Sequence, residues 1–235
     1  MATFVLVHGA WHGGWCWSRV TPQLQALGHQ VFAPTLSGLA DRSHLLSPTI
    51  NLQTHIRDIT GLLQWEDLRD VILVGHSYGG MVIAGVADAM VERVSALAVI
   101  DGYVPENGDS AFSHRPADRN AETLAMVRAQ GMGWQIPPYS AASFGVNAAD
   151  QAWVDSKLTP QPLACFSQPI RLTGDSDKIT RKLYLRAGDY PNAHFSALAD
   201  KLTADPGWQV TEMACGHDIM VDQPAALAAA LATLA

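Results

Sequence analysis

Between Val71 and Met90 the chain reads VILVGHSYGGMVIAGVADAM, and this stretch limits the possible folds more than any other. Val71–Val74 is an unbroken apolar run, the pattern of a strand buried on both faces of a parallel sheet. From Met81 onward apolar residues recur at helical spacing, at Met81, Val82, Ala84, Gly85 and Ala89. Only Gly75-His76-Ser77-Tyr78-Gly79-Gly80 lies between them, so a strand has to become a helix almost without a loop. Glycines at 75, 79 and 80 remove side chains that would collide in so tight a turn and leave Ser77 at its apex. A helix-capping serine among turn glycines is the plainer reading. The pattern G-x-S-x-G set between a buried strand and a helix is more specific, because it presents a serine hydroxyl at the edge of a sheet.

The rest of the chain extends this rhythm. Strands are predicted at Thr3–Val7, Gln30–Ala33, Asp70–Val74, Ser95–Ile100, Lys182–Ala187 and Trp208–Met213. Helices are predicted at Ser18–Ala26, Leu52–Trp65, Ser77–Val91, His194–Thr203 and Pro224–Leu234. Alternating strands and helices imply an α/β fold, a mostly parallel sheet of about six strands with helices on both faces. Tyr103 to Arg181 breaks the pattern, with helices only near Arg119–Gln130 and Ala148–Lys157. A structureless loop of that length is foreign to a compact domain. Residues 103–180 are therefore read as a cap inserted over the sheet, and 1–102 with 181–235 as the core. Phe112, Met126, Met132, Trp134, Tyr139, Phe144, Trp153 and Phe166 give that cap its apolar surface.

Composition excludes several kinds of partner. The chain has 235 residues and a net charge of −7, which argues against nucleic acid or an anionic membrane. No apolar stretch approaches a membrane span. The opening MATFVLVHGAWHGG has no charged leader region and reads as a strand rather than a signal peptide. Cys16, Cys165 and Cys215 are odd in number and share no metal spacing, as expected of reduced packing thiols in a cytoplasmic protein. No zinc-type His/Glu spacing occurs, and neither G-x-G-x-x-G nor a P-loop follows the first strand, so no metal or organic cofactor is expected.

A serine hydroxyl at neutral pH needs a base to take its proton and a carboxylate to orient that base. In this architecture the order is serine, acid, histidine, with the histidine on the loop after the last strand. Met213-Ala214-Cys215-Gly216-His217-Asp218 occupies that loop, which selects His217 from nine histidines. His76 is expected to support the turn. His29, His44, His55, His114 and His194 are assigned to loops and helix surfaces. Acyl transfer also needs two backbone N–H groups for the negative oxygen of its intermediate. Tyr78, next to the nucleophile, supplies one; Ala10, or else Trp11, in the turn VHGAWHGGW supplies the other. For the acid, Asp101 ends the strand after the nucleophile strand and Asp189 ends the next, about 5 and 10 Å away laterally. Asp101 is preferred and Asp189 is the alternative. Trp11, Trp134, Phe144 and Trp153 are candidates to line a substrate pocket.

FVLVHGAWHGGWCWSRVTPQL (Phe4–Leu24), GHSYGG (Gly75–Gly80), VPENG (Val104–Gly108) and GHD (Gly216–Asp218) resemble the α/β-hydrolases. The likeness is to the branch of plant methyl esterases, salicylic-acid-binding esterases and hydroxynitrile lyases. It covers nearly the whole chain, most weakly in the cap and from Arg186 to Asn192. It implies a cofactor-independent serine–histidine–aspartate site acting on esters or cyanohydrins. Lyases of this kind carry threonine where Gly9 stands and lysine directly after the catalytic histidine, where this chain has Asp218. Both departures point to an esterase, since a carboxylate beside the site would repel cyanide where a lysine would hold it. The plant members take their acid after the penultimate strand; an ungapped alignment of KLYLRAGDYP puts Tyr190 there and Asp189 one position short. Other α/β-hydrolases take it where this chain has Asp101.

These readings converge on a serine carboxylester hydrolase for small or medium apolar or aromatic esters, working through an acyl-enzyme. The alternatives are a hydroxynitrile lyase and a ligand receptor that keeps the hydrolase fold. A small-molecule ester is the expected partner, and a homodimer is compatible with the sequence.

Overall fold

Six of the apolar runs pair, in the computed structural model of residues 1–235, as one parallel sheet in the order β2-β1-β3-β4-β7-β8. Its strands are β1 (Thr3–Val7), β2 (Gln30–Phe32), β3 (Val71–His76), β4 (Val94–Ile100), β7 (Lys182–Ala187) and β8 (Gln209–Met213). Two short strands, β5 (Gln135–Ile136) and β6 (Gln161–Pro162), form a separate antiparallel ladder. The helices are α1 (Thr21–Ala26), α2 (Leu52–Trp65), α3 (Gly79–Ala89), α4 (Ala117–Gln130), α5 (Gln151–Asp155), α6 (Leu163–Ser167), α7 (Ala193–Thr203), α8 (Ile219–Asp222) and α9 (Pro224–Ala232). The central strand β3 is buried along its whole length, whereas the edge strands β2 and β8 are half exposed. That gradient explains why the unbroken apolar run lies at the centre of the sheet. No helix is long and apolar enough to cross a membrane.

Topology places the site. From β1 the chain runs outward to β2 and returns on the other side of β1 as β3. The carboxyl ends of β1 and β3 therefore flank the point where strand order reverses, the crevice in which open α/β sheets bind ligands. The two turns leaving these strands touch. A Cβ on Gly79 would come within 2.6 Å of the Val7 carbonyl oxygen and 2.9 Å of that of His8. Only glycine allows helix α3 to start this close to β1.

Residues 103–180 lie against the same end of the sheet. The Trp11 indole donates to the Ile136 carbonyl at 3.1 Å, and the His217 amide donates to the Phe144 carbonyl at 2.8 Å. Gly216 passes so near the backbone of Phe144 and Gly145 that any side chain there would collide.

Several predicted boundaries shift. Strand β3 runs on through Gly75 and His76, which stay in register with Val99 and Ile100 of β4. The turn is thus tighter than expected, and α3 begins at Gly79 rather than Ser77. The helix predicted from Ser18 begins at Thr21, after a 3-10 turn at Gly14–Trp17 and with proline in its first turn. The helix expected over Ala148–Lys157 keeps only Gln151–Asp155. Met132, assigned to the apolar surface of 103–180, points into solvent, 72% exposed. His55, assigned to the surface, is fully buried on α2, which turns that face toward α3.

Candidate active site

Ser77 holds a left-handed backbone, with φ of +53°. Such a conformation is costly for a non-glycine residue and persists only where surrounding contacts impose it. Here the Ser77 amide donates to the Ile100 carbonyl at 3.0 Å, and the Ser77 carbonyl accepts from the Tyr103 amide at 3.2 Å. Gly102 makes room: a Cβ there would lie 2.7 Å from both the Ser77 nitrogen and oxygen. The serine is thereby held at the floor of a cavity of about 340 Å³, in whose wall His217 also stands.

His217 Nδ1 faces Asp101 Oδ2 at 2.6 Å, and Asp101 is fully buried. Its Nε2 is the nitrogen left for the cavity. The other oxygen of Asp101 accepts from Arg186 Nη1 at 2.6 Å and from the Ala187 amide at 3.1 Å. The alternative acid, Asp189, is exposed, and it is tied to the fold through its backbone, its amide donating to the Cys215 carbonyl at 3.1 Å. A two-strand separation and an outward direction leave Asp189 out of the arrangement.

Ala10 and Tyr78 both line the cavity, and their amides find no protein acceptor. Trp11 cannot replace Ala10 as donor, because its amide is already bonded to Gln161 Oε1 at 3.2 Å. His8 fixes the direction of the Ala10 amide. Its Nδ1–H donates to the Gly9 carbonyl at 2.8 Å, while its Nε2 accepts from the Leu36 amide at 3.0 Å. The Gly9 carbonyl and the Ala10 N–H belong to one trans peptide and point in opposite directions. Anchoring one therefore aims the other.

Of the four residues expected to line a pocket, Trp11 and Phe144 line this cavity, with Tyr139, Phe166 and Tyr190. Trp153 and Trp134 do not line it. Trp153 packs edge-on against Trp15, under the Arg19 guanidinium. Trp134 is half-buried beside β5, where its carbonyl accepts from the Leu163 amide. Aromatic content alone does not tell which face of a short element looks inward.

Asp218 also departs from expectation. It is fully buried and turned away from the cavity, with Oδ2 accepting from His12 Nε2 at 3.0 Å. It therefore cannot repel an anion in the cavity as a bare charge. The argument from Gly9 remains: a Cβ there would lie 2.8 Å from His76 Nδ1 and 3.0 Å from Ser77 Cβ, leaving no room for threonine.

Arg186 and Tyr190 lie outside the sequence-based expectation, as do His114 and His194, which line the cavity although they were assigned to loops and helix surfaces. Arg186 was legible as a lone charge within the apolar strand KLYLRA, and it is buried against Asp101. Tyr190, whose ring stacks on His217 at 4.5 Å, carried no such signal.

Three buried histidines stay neutral. Burial lowers His8 to about 3 and His55 to about 4, and it also lowers His76 well below its ordinary 6.5. In the unfolded chain all three take up a proton near pH 6.5, which the folded chain refuses. The unfolded state thus binds more protons as pH falls below 6.5, and stability is lost in that direction. Each such histidine contributes about 1.4 kcal/mol per pH unit inside its window. Urea midpoints should therefore fall steadily from pH 6.5 to 4.5; a flat profile would contradict the neutral assignments.

The sequence profile described as "Alpha/beta hydrolase family" matches residues 4–230. The chain is 41% identical to the carbendazim hydrolyzing esterase of Nocardioides sp. (strain SG-4G), over the full length of both. It is 30% identical to methylesterase 2 of Arabidopsis thaliana, over 61% of this chain and 54% of that protein. Among solved structures, an extracellular alpha/beta-hydrolase from a Paenibacillus species superposes with a TM-score of 0.87, at 21% identity and over 100% of this chain and 99% of that one. At that identity the likeness bears on the fold alone.

Proposed function

The chain belongs to the alpha/beta hydrolase family, and from that membership we propose that it is a serine carboxylester hydrolase acting on small to medium apolar or aromatic esters. One observation carries the reading: Ser77 and His217 share a cavity, with the Asp101 carboxylate 2.6 Å behind the imidazole. Ser77 Oγ attacks the ester carbonyl while His217 Nε2 takes its proton. The oxygen that becomes negative is met by the Ala10 and Tyr78 amides, which are already aimed and have no partner to give up. His217 returns the proton to the departing alcohol, and an acyl-enzyme remains. Water, activated by the same histidine, then releases the acid. No step needs a metal or organic cofactor. Residues 103–180 act as the cap, closing the aromatic wall over the site.

The similarity to a carbendazim hydrolyzing esterase and to methylesterases supports an ester substrate of modest size. A cavity of about 340 Å³ walled by Trp11, Tyr139, Phe144, Phe166 and Tyr190 suits an aromatic or short apolar acyl group. The test is hydrolysis of p-nitrophenyl acetate, butyrate, benzoate and laurate, together with methyl benzoate and carbendazim. The short and aromatic esters should turn over with a pre-steady-state burst, and laurate should be the poorest. No turnover of any of them, or a preference for laurate, would overturn the reading.

A further inference from the structure

We infer that His12 and Asp218 form a buried charged clamp that positions the Ala10–Trp11 segment, and so the Ala10 amide, for its part in the reaction. This rests on the hydrolase reading above but concerns residues that do not touch substrate. His12 Nδ1 lies 2.8 Å from the Ala10 carbonyl oxygen, and its Nε2 lies 3.0 Å from Asp218 Oδ2. A carbonyl and a carboxylate can only accept hydrogen bonds, so both ring nitrogens must carry protons. His12 is therefore an imidazolium, although it is almost wholly buried. The Trp15 ring lies over it at 5.3 Å, with an aromatic face toward the charge. Burial works against that charge, and the carboxylate more than offsets it, so His12 titrates above its ordinary 6.5.

The clamp has a specific load. Trp11 is held in the left-handed region, with φ of +65°, and such a residue relaxes when its restraints are removed. His12 holds the carbonyl of the peptide on the N-terminal side of Trp11, Gln161 Oε1 holds the N–H of that same peptide at 3.2 Å, and His8 restrains the peptide before Ala10. Ala10 thus sits between two pinned peptide planes. Asp218 directly follows His217, whose carbonyl accepts from His76 Nε2 at 3.0 Å. The clamp therefore ties the oxyanion turn to the loop of the proposed base.

Two substitutions separate positioning from mere support. In His12→Asn the amide nitrogen takes the place of Nδ1 and keeps the bond to the Ala10 carbonyl, but loses Asp218. In His12→Gln the amide nitrogen takes the place of Nε2 and keeps Asp218, but releases Ala10. The glutamine variant should be the more stable, since it leaves the buried carboxylate partnered. Positioning requires the opposite order in activity: kcat falls about 10- to 100-fold in His12→Gln and less than about fivefold in His12→Asn, with KM nearly unchanged in both. The rate of Ser77 phosphonylation by a fluorophosphonate should fall in the same order, because that reaction uses the same amides without needing an ester.

Activity that tracks stability, with His12→Gln the better enzyme, would overturn the clamp. Should either variant fail to fold, the pair is compared in an Asp218→Asn background, where no buried carboxylate is stranded, and the same order is required. A wild type that is phosphonylated but hydrolyses no ester would sink the proposed function alone, and the phosphonylation rates would still decide this one. A wild type inert to both would overturn both.

Discussion

Ser77→Ala should abolish ester hydrolysis, lowering kcat by about four to six orders of magnitude while leaving the fold intact. The size follows from the site. With the hydroxyl gone there is no acyl-enzyme, and only the aimed amides and the cavity remain to assist attack by water. The backbone sets the second half of the expectation. Ser77 keeps its φ of +53° through bonds of its own amide and carbonyl to Ile100 and Tyr103, none of which involves the hydroxyl. Alanine therefore inherits the same strained turn, and the thermal midpoint should stay within about 3 °C of wild type. Purified variant assayed on p-nitrophenyl acetate, with calorimetry alongside, checks both. Residual activity above about 1% would place the nucleophile elsewhere.

Asp101→Asn should cost about four orders of magnitude in kcat, against less than about twofold for Asp189→Asn. Arg186 Nη1 and the Ala187 amide both donate to Asp101 Oδ1. In the variant they select the amide oxygen for that position and turn the new NH₂ group toward His217 Nδ1. That nitrogen must then accept rather than donate, which moves the imidazole proton to Nε2, the nitrogen that has to be empty to take the proton of Ser77. The variant also strands Arg186 in a nearly dry environment without a counter-charge, at a cost of about 3–5 kcal/mol. Loss of activity and loss of stability should therefore appear together at 101 and be absent at 189, which is exposed. Equal losses in the two variants, or a larger loss at 189, would assign the acid to the β7 loop.

Much of the site could be read from local chemistry. A buried strand that must become a helix within a few residues needs glycines, and at Ser77 that need coincided with a catalytic pattern. His217 was legible because glycine, histidine and a final helix follow the last strand. The failures share one cause. Trp153 and Trp134 have the right chemistry for a pocket, but their direction is set by short elements whose neighbours are distant in sequence. His55 looks like a surface residue on a half-polar helix, yet its Nδ1 accepts from the Tyr78 hydroxyl at 3.0 Å in the core. Asp218 looks like a charge beside the site until His12, 206 residues away, takes it out of the cavity.

By itself the sequence determined the α/β class, the strand–turn–helix around Ser77 and the candidate histidine, because each follows from periodicity and sterics within a few residues. Only the tertiary structure set Asp101, and not Asp189, against His217, joined Arg186 to Asp101 and paired His12 with Asp218. Those choices depend on distances of a few ångströms between strands and loops remote in the chain, and on which charges end up without water.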